Sequence, residues 1–367
     1  MQAGPRLEVE RVEGWLVLEN GAVFRGEAVG AEGRRSGEVV FNTGMTGYQE
    51  MLTDPSYRGQ ILAMTYPLIG NYGATADDLE ADAPQVEGLV VHRLTERPSS
   101  WRSDEGLATF LREHGVVALA GVDTRALTRL LREEGTLRGV LATGAADPEE
   151  LKAEATAFRM PPTNRLVEEA TVKEPVRLGD GSPRVVAVDL GAKRRISQLL
   201  LKRGAGVVVV PPFSGPEAIL VHRPDGVLFS NGPGDPAELG PAVATARALV
   251  GRVPLFGICL GEQVLAQALG ARTFKLKYGH RGGNHPVQDL VTGQVAVTTQ
   301  NHGYAVEEGS WDDPDLVVTH RHLNDGTVEG IMHRRYPLFA VQYHPEGAPG
   351  PEDSHVLFDR FVQAMAG

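Results

Sequence analysis

From Arg184 onward, short continuous apolar segments alternate with segments of helical period. The strand-like RVVAVDL is followed by the helical AKRRISQLLLKRG, and GVVVVPP is followed, after a polar stretch, by DGVLFSNGPG. Short apolar strands separated by helices are typical of βαβ units, in which helices cover both faces of a parallel sheet. We therefore predict an α/β domain over residues 183–367, with a mostly parallel sheet flanked by helices. Further strands are predicted at VPLFGI, QVAVTTQ, DLVVTH, TVEGIMH and PLFAVQYH, and helices at GEQVLAQALG and EDSHVLFDRFVQAM.

The preceding part of the chain has a different pattern. The segment WLVLENGAVFRGEAVG alternates apolar and polar residues around Asn20-Gly21, which predicts a hairpin with a type I′ turn, and GEVVFNTG predicts another strand. Helices are predicted at SDEGLATFLREHG, with Ser103 as N-cap, and at DTRALTRLLREEG, from Asp123 to Gly135. These signals indicate a smaller, β-rich α+β domain.

The chain length suggests about two domains, because 367 residues exceed what one ordinary core accommodates. The segment between the two patterns is rich in Pro, Gly and charged residues. We therefore predict an N-terminal domain at residues 1–145, a linker with a short helix at 146–182, and the α/β domain at 183–367.

Charge and hydropathy exclude several classes of partner. The formal net charge of −11 repels phosphate backbones, and no Lys/Arg-rich block offsets it, so nucleic acid is not an expected partner. No apolar run approaches the roughly 20 residues needed to cross a bilayer, and the N-terminus lacks the basic and apolar regions of a signal peptide. We expect no membrane association and a cytoplasmic location.

The only cysteine of the chain, Cys259, lies in the segment LFGICLGEQVL between Gly257 and Gly261. A lone thiol forms no internal disulfide, and C-x-x-C spacing is absent, so the thiol is either inert and buried or a nucleophile. Its position between a predicted parallel strand and a helix is that of a nucleophile elbow, where the glycines allow a strained turn and close packing of the helix. The helix N-terminus also favours a thiolate.

A thiol nucleophile needs a base, and the base needs an orienting group. The segment LFAVQYHPEG places His344 at the end of an apolar strand and Glu346 two residues later. Residues i and i+2 of an extended chain project to the same side, so the carboxylate can hold the imidazole in one tautomer while the other ring nitrogen faces the sulfur. A solvent-exposed His-Pro-Glu turn is the alternative.

The attacked carbonyl develops negative charge and needs hydrogen-bond donors. One candidate donor is the backbone N–H of Leu260, and a second lies in the loop SNGPGDP, where Gly232 and Gly234 leave the backbone open. This loop lacks the spacing of a phosphate-binding loop, so we predict no nucleotide site there. An ordinary β-turn is the alternative.

Two further polar segments, KLKYGHRGGNHPV (275–287) and TQNHGYAV (299–306), are interpreted as loops between strands. Their histidines His280, His285 and His302 raise the question of a metal site. No Cys, Asp or Glu completes a ligand set nearby, so we predict no metal and assign the histidines to hydrogen bonds that shape the loops.

These motifs together resemble a known family. GICLGEQ, NGPGDP, GGNHPV, QNHGYAV and HPEG, in this order, resemble class I (triad type) glutamine amidotransferases. The N-terminal FNTGMTGYQEMLTDPSYRGQIL, TYPLIGNYG and AGVDTRALTR narrow the resemblance to small subunits of carbamoyl phosphate synthetases, over nearly the whole chain. The resemblance implies Cys259 as nucleophile, His344 as acid–base and Glu346 as orienting carboxylate. It also implies contacts with L-glutamine at Gly44, Gly232, Gly234, Leu260, Gln263, Asn301, Gly303 and Tyr304.

Some relatives carry Ser where this chain has Gly44, so only a backbone contact is expected there. The resemblance further implies hydrolysis of glutamine to glutamate and ammonia, with ammonia channelled to a large subunit that binds ATP and Mg²⁺. No cofactor is expected in this chain, and the N-terminal domain is expected to form much of the interface. Two alternatives stay open at this point, a stand-alone thiol hydrolase of γ-glutamyl compounds and a catalytically silent regulatory subunit.

Overall fold

The structure, a computed structural model, describes residues 12–366. Residues 1–11 of the predicted N-terminal domain and residue 367 lie outside the described part. The strands are β1 (Glu13–Leu18), β2 (Val23–Ala28), β3 (Arg34–Asn42), β4 (Gln60–Met64), β5 (Leu68–Ile69), β6 (Gly88–Val90), β7 (Arg93–Leu94), β8 (Val117–Ala120), β9 (Leu137–Thr143), β10 (Val176–Arg177), β11 (Arg184–Val188), β12 (Gly206–Val210), β13 (Gly226–Phe229), β14 (Leu255–Ile258), β15 (Thr273–Asp289), β16 (Val295–Val306), β17 (Leu316–His322), β18 (Val328–His333) and β19 (Leu338–Val341).

The α-helices are α1 (Tyr48–Thr53), α2 (Leu107–Glu113), α3 (Thr124–Glu134), α4 (Pro148–Ala157), α5 (Thr163–Ala170), α6 (Arg194–Lys202), α7 (Pro216–Leu220), α8 (Gly240–Leu249), α9 (Leu260–Ala268) and α10 (Val356–Met365). Short 3-10 helices span Pro55–Tyr57, Ala76–Asp78, Pro236–Glu238 and Asp353–His355. None of the helices within residues 12–366 is both long and apolar enough to cross a membrane.

The N-terminal strands close into a barrel in the order β1-β2-β8-β6-β4-β3-β9. Alternate residues along its strands face two different clusters, as period 2 requires. Val39 and Ile61 pack with Leu127 of α3, whereas Val40 and Leu62 pack with residues of α1 and α2. The predicted β-rich character of this domain is confirmed, and its closure into a barrel is an addition to the prediction.

The β1–β2 hairpin forms where it was predicted, but its turn is not type I′. A type I′ turn requires positive φ at both central residues. Only Gly21 has positive φ (89°), and its N–H donates to the Leu18 carbonyl oxygen over 2.9 Å. The backbone N–H of Leu18 donates in turn to the Ala22 carbonyl oxygen, so the loop has three residues and ends in a left-handed glycine.

The helix predictions in this domain differ in outcome. Asp123 caps α3 by accepting a hydrogen bond from the Ala126 N–H, and Gly135 follows the helix with φ 99°, as predicted. The N-cap predicted at Ser103 is wrong, because α2 begins at Leu107 after Gly106. The Ser103 hydroxyl instead donates to the Glu105 carbonyl oxygen.

The predicted linker, residues 146–182, contains more structure than one short helix. Helix α4 packs on the barrel, where Leu151 and Ala155 join the cluster of Trp15. Helix α5 packs on the C-terminal core through Val167, and β10 pairs antiparallel with β12. The segment therefore holds two helices and a strand that contact both parts of the protein. The division of the chain at 145 and 183 stays a prediction.

The C-terminal sheet has ten strands in the order β10-β12-β11-β13-β14-β19-β18-β17-β15-β16. The predicted α/β class is confirmed, but the sheet is mixed rather than mostly parallel. Strands β12, β11, β13, β14 and β19 are parallel, and the remaining pairings are antiparallel. Apolar residues of α8 and α9 cover one face, and those of α6 and α10 cover the other. Because β12 and β13 lie on opposite sides of β11, the sheet has a topological switch point, where ligands bind in open α/β folds.

The two polar segments interpreted as loops lie inside strands. Residues 275–287 belong to β15 and residues 299–306 to β16, and the two strands pair antiparallel. The register shifts between Lys275 and His280 and between Gly282 and His285. Such bulges interrupt the period-2 pattern by which a strand is recognised.

The barrel contacts the carboxyl edge of the C-terminal sheet through its segment 42–58. The Asn301 amide donates to the Asp54 carboxylate over 2.8 Å, and the Asn231 amide donates to the Ser56 hydroxyl over 2.9 Å. The Thr43 N–H donates to the Arg281 carbonyl oxygen over 3.1 Å. Asp54, Asn231 and Asn301 are buried, so both parts of the chain build the edge at which Cys259 lies.

Candidate active site

Cys259 lies between β14 and α9 in a strained backbone conformation. Its φ of 54° and ψ of −107° fall outside the regions that L-residues usually adopt. A Cβ at Gly257 would lie 2.7 Å from the Gly261 carbonyl oxygen, and a Cβ at Gly261 would lie 2.0 Å from the Phe229 carbonyl oxygen. Both glycines are therefore required by packing, as expected for a nucleophile elbow.

His344 follows β19 and is held from two sides. Its backbone N–H donates to the Thr299 carbonyl oxygen over 2.9 Å. Its Nδ1 is 2.6 Å from Glu346 Oε1, so this nitrogen carries the proton and donates to the carboxylate. Nε2 has no hydrogen-bond partner among the described residues, and Cys259 is close enough to contribute to the pKa of the imidazole.

The electrostatics of this pair favour a charged imidazole. Burial lowers the pKa of His344, but the Glu346 carboxylate outweighs it and raises the pKa to about 10. Burial likewise raises the pKa of Glu346, yet Lys193 and His344 hold that pKa well below its usual range. Both shifts favour the charged forms, a carboxylate at Glu346 and an imidazolium at His344.

Lys193 is the residue that sequence reasoning missed. Its Nζ lies 2.6 Å from Glu346 Oε1, and the side chains are 1% and 0% exposed. Burial lowers the pKa of Lys193, and Glu346 followed by Asp54 and Glu80 raises it above its ordinary value. Lys193 thus extends the row Cys259, His344, Glu346 by a buried ammonium group.

A cavity opens in front of the sulfur. Cys259 lines it, together with most of the residues expected to contact glutamine: Gly232, Gly234, Leu260, Gln263, Asn301, Gly303 and Tyr304. Charged side chains not singled out from the sequence also line it: Glu38, Arg58, Asp235, Glu238, Lys275 and Arg281. The cavity therefore offers both signs of charge beside the sulfur, as a small zwitterionic molecule requires.

Two families of known proteins match the chain. Residues 16–141 match the family Carbamoyl-phosphate synthase small chain, CPSase domain, and residues 186–364 match Glutamine amidotransferase class-I. The carbamoyl phosphate synthase small chain of Listeria monocytogenes serotype 4b is 53% identical over 352 residues, which cover 96% of each chain. The chain belongs to the family of carbamoyl phosphate synthase small chains.

Other relatives of this small chain have similar coverage. The carbamoyl phosphate synthase pyrimidine-specific small chain of Halalkalibacterium halodurans is 51% identical over 350 residues, 95% of this chain and 96% of the relative. Among solved structures, a GMP synthase protein from Thermoplasma acidophilum is 22% identical, with a TM-score of 0.44, and the match covers 50% of this chain and 94% of that protein. That likeness is too small to add to the assignment.

Gly44 is the one predicted glutamine contact that does not line the cavity of the small chain. Its N–H already donates to the Asn42 side chain over 2.6 Å, and a Cβ there would lie 2.5 Å from Met51 Cε. A contact between Gly44 and glutamine stays a prediction.

The two predicted oxyanion donors lie on different elements. Leu260 is the first residue of α9, so its N–H has no partner within the helix. Gly232 lies in the loop after β13, where a Cβ would overlap the Leu190 carbonyl oxygen at 1.9 Å. Both positions therefore present backbone beside the sulfur, and their role as donors stays a prediction.

The predicted glutamine contacts Gln263 and Asn301 already have partners in the small chain. Gln263 Nε2 donates to the Tyr304 carbonyl oxygen and to Gln342 Oε1, each over 2.8 Å. The Asn301 amide donates to Asp54, while the Asn301 carbonyl oxygen is 3.7 Å from Cys259 Sγ. Their side-chain amides thus order the cavity wall, which residues 301–304 help to form.

A carboxylate lies beside the histidines for which the sequence predicted no metal. Glu329 on β18, remote in sequence, supplies the acidic group that the segments of His280 and His302 lack. A second cluster joins His280 to His285 and His322. The reason given against a metal, the lack of a nearby acidic residue, therefore does not hold in the folded chain.

We expect Gly261→Ala to destabilise the small chain by at least about 2 kcal/mol, because the added Cβ meets backbone that cannot yield without separating α9 from β13. The matched control is Gly215→Ala. Gly215 has φ −69° and ψ 164°, and a Cβ there meets nothing within 4 Å. Urea unfolding monitored by circular dichroism measures both variants. Equal stability of the two would contradict the close packing of α9.

Proposed function

We propose that this small chain hydrolyses L-glutamine with Cys259 as nucleophile, His344 as acid–base and Glu346 as orienting carboxylate. The observation that carries the proposal is the strained cysteine at the cavity wall, next to a buried imidazole whose other nitrogen is 2.6 Å from a carboxylate. Family membership supports the same chemistry, since class I amidotransferase similarity covers residues 186–364.

In the first step, the thiolate attacks the side-chain amide carbon of glutamine, and a carbon–sulfur bond forms as the carbonyl π pair moves to oxygen. Backbone N–H groups of Leu260 and Gly232 stabilise the oxyanion. His344 then gives its proton to the amide nitrogen, the carbon–nitrogen bond breaks, and ammonia leaves. A γ-glutamyl thioester remains on Cys259.

In the second step, water cleaves the thioester. The now neutral His344 takes a proton from water, the water oxygen adds to the thioester carbonyl, and the carbon–sulfur bond breaks to release glutamate and the thiolate. Glu346 keeps the imidazole in one orientation throughout, and Lys193 keeps Glu346 ionised. The cycle returns the thiolate–imidazolium pair with which it began.

The family name implies that the partner is a large chain of the same synthase. Ammonia released into neutral water is protonated and loses its nucleophilicity, so we propose that it passes unprotonated along an enclosed path to that large subunit. Activation of bicarbonate by phosphorylation requires ATP, and the sequence of this chain has no recognisable ATP-binding motif. We therefore assign ATP and Mg²⁺ to the large subunit, with the barrel domain forming much of the interface. A cytoplasmic location belongs to the same proposal.

The two alternatives receive no support from the relatives. A stand-alone thiol hydrolase would not need the barrel domain, which matches the small-chain family over residues 16–141. A silent regulatory subunit would not need the buried set of Cys259, His344, Glu346 and Lys193.

A glutamine analogue that carries a chloroketone in place of the amide tests the proposal. We expect it to alkylate Cys259 with one adduct per chain, and L-glutamine to protect against it, because the ketone carbon occupies the position of the amide carbon and holds the chloromethyl carbon beside the sulfur, which displaces chloride from it. Mass spectrometry of the intact chain and of the peptide with Cys259 measures the adduct. Alkylation that glutamine does not slow would contradict a glutamine site. Iodoacetamide, which lacks the amino acid part, is the matched control. L-Glutamine should slow its reaction with Cys259 only to the extent that bound glutamine blocks access to the sulfur.

A further inference from the structure

Three buried polar atoms converge beneath the cavity wall without hydrogen-bond partners in the described part of the chain. They are His280 Nδ1 on β15, His302 Nε2 on β16 and Glu329 Oε1 on β18. Glu329 Oε1 is 3.7 Å from His280 Nδ1 and 3.8 Å from His302 Nε2. These separations exceed a hydrogen bond, so the three atoms surround a gap and do not satisfy one another.

Each of the three groups is oriented by a bond from its other polar atom. His280 Nε2 is 2.8 Å from Asp325 Oδ2, and His302 Nδ1 is 2.7 Å from the Tyr304 carbonyl oxygen. Glu329 Oε2 accepts from Gln300 Nε2 over 2.7 Å. A carboxylate or carbonyl on the far nitrogen of each histidine is the arrangement that orients histidines toward metals, because it leaves the near nitrogen's lone pair free.

We propose that His280, His302 and Glu329 bind a divalent transition-metal ion of the Zn²⁺ type. Two imidazoles and one carboxylate are a ligand set that zinc accepts, at bond lengths of about 2.0–2.2 Å. Tetrahedral ligands at those lengths are roughly 3.3 Å apart, so the observed 3.7 and 3.8 Å need to close by only a few tenths of an ångström. A water molecule completes the coordination.

A further buried carboxyl lies on α9, which contacts β18. Both oxygens of Glu262 lack hydrogen-bond partners within residues 12–366. A divalent ion bound to Glu329 would add positive charge on this side of the sheet.

The histidine cluster formed by His280, His285 and His322 is a weaker candidate. His285 Nδ1 and His322 Nε2 are 2.9 Å apart and bond to each other, and His280 Nε2 bonds to Asp325. Two of the three histidines are therefore satisfied without an ion. Of the two His280 nitrogens, only Nδ1, which lies 3.7 Å from Glu329 Oε1, is unpartnered within residues 12–366.

The ion would tie β16 to β18, which are not neighbours in the sheet. His302 lies between Asn301 and Gly303, and all three residues line the cavity. The ion would therefore hold this segment of the cavity wall in place. The ion is thus assigned a structural role, and the assignment holds whether or not the chain hydrolyses glutamine.

Zn²⁺ titration of the full-length chain in a Cys259→Ser background tests the proposal, because that background removes the single thiol of the sequence, which could bind Zn²⁺ itself. The chain is first treated with a chelator, and binding is measured by calorimetry and by elemental analysis after gel filtration, at about pH 8 so that protons compete little for the imidazoles. We expect one ion per chain and a higher melting temperature. Glu329→Gln, which keeps the size of the side chain, should weaken binding by about 100-fold or more.

The matched control is His285→Asn, which removes a histidine of the other cluster and leaves the three proposed ligands in place. It should bind Zn²⁺ as the parent does. Circular dichroism without metal verifies that Glu329→Gln and His285→Asn are folded, and His302→Asn replaces Glu329→Gln should the latter not fold. Absence of binding in the parent, or loss of binding in His285→Asn with retention in Glu329→Gln, would overturn the assignment.

Discussion

Cys259→Ser is expected to abolish glutamine-dependent carbamoyl phosphate formation by the complex of this chain with its large subunit, while ammonia-dependent formation continues at the parental rate. Serine fits the elbow, because it adds no atom to a position that is 2% exposed. Its hydroxyl is far less acidic than a thiol and is not ionised by the neighbouring imidazolium. Loss of the nucleophile from such a constellation lowers kcat by about 10⁴-fold or more.

Comparison of glutamine with ammonia as the nitrogen source provides an internal control. Ammonia enters the synthetase reaction without this site, so an unchanged ammonia-dependent rate indicates that the complex is assembled and that its synthetase part is active. Gln267→Asn is the matched control and should leave both rates unchanged, because Gln267 lies on the same helix α9 and its side chain bonds, among residues 12–366, only to Thr273. The assignment of Cys259 as nucleophile would be refuted if the serine variant formed carbamoyl phosphate from glutamine at more than about a thousandth of the parental rate.

The parts of the site that were predictable are local in sequence. The corner at Cys259 follows from an apolar strand that runs into a helix, with glycines where the backbones of Phe229 and Gly261 leave no room for a Cβ. The bond between His344 and Glu346 was predicted, but from extended chain, whereas Pro345 and Glu346 lie in a turn in which the Gly347 N–H donates to the His344 carbonyl oxygen over 3.3 Å. Each of these patterns spans only a few residues, so no knowledge of the tertiary fold was needed.

Lys193 was not predictable in the same way. A lysine is normally exposed, and nothing around it in AKRRISQ distinguishes it from its two arginine neighbours. Its partner Glu346 is 153 residues away. Only the topology, which places the loop after β11 beside the end of β19, reveals the pair.

The mixed sheet and the histidine gap were missed for a related reason. Strands β15 and β16 carry histidine and glycine where a sheet interior normally carries valine or isoleucine, and their bulges remove the period-2 signal. The ligand set could not be recognised from the sequence, because Glu329 on β18 comes near His280 and His302 only in the folded sheet. Likewise, only β1, β2 and β3 of the barrel strands were predicted, and closure depends on pairing β3 with β9 across most of the domain.

Glu346→Gln is expected to damage both folding and catalysis. The amide keeps the size of the side chain but leaves Lys193, 1% exposed, without its nearest counter-charge. Removal of one member of a buried ion pair costs about 3–5 kcal/mol, and we expect a loss of that size in the free energy of unfolding. Glutaminase kcat should fall by about 10³-fold or more, because the imidazole loses the group that orients and charges it.

The pH dependence of the unfolding free energy distinguishes an electrostatic cause of the stability loss in Glu346→Gln from a loss of packing. The folded-state pKa of His344 is raised to about 10 from an ordinary value of 6.5, so the stability due to its charged form is fully present below pH 6.5 and is lost as the pH rises through about 10. The difference in unfolding free energy between the parent and Glu346→Gln should therefore narrow toward pH 10. A difference that stays constant from pH 6 to about 10 would mean that shape, not charge, accounts for the loss.

The double variant Lys193→Met/Glu346→Gln separates stability from activity. Removing both members of the pair leaves neither position with an unpaired ion, although Asp54 and Glu80 lose a neighbouring positive charge. Part of the lost stability should therefore return, as it does when buried ion pairs are replaced by neutral groups. Glutaminase activity should not return, because His344 still lacks its carboxylate. Urea unfolding and glutamine hydrolysis by the assembled complex, measured for the parent, both single variants and the double variant, give the coupling energy directly. Recovery of activity together with stability would mean that Glu346 acts only by neutralising Lys193, and the carboxylate would then have no part in orienting the imidazole.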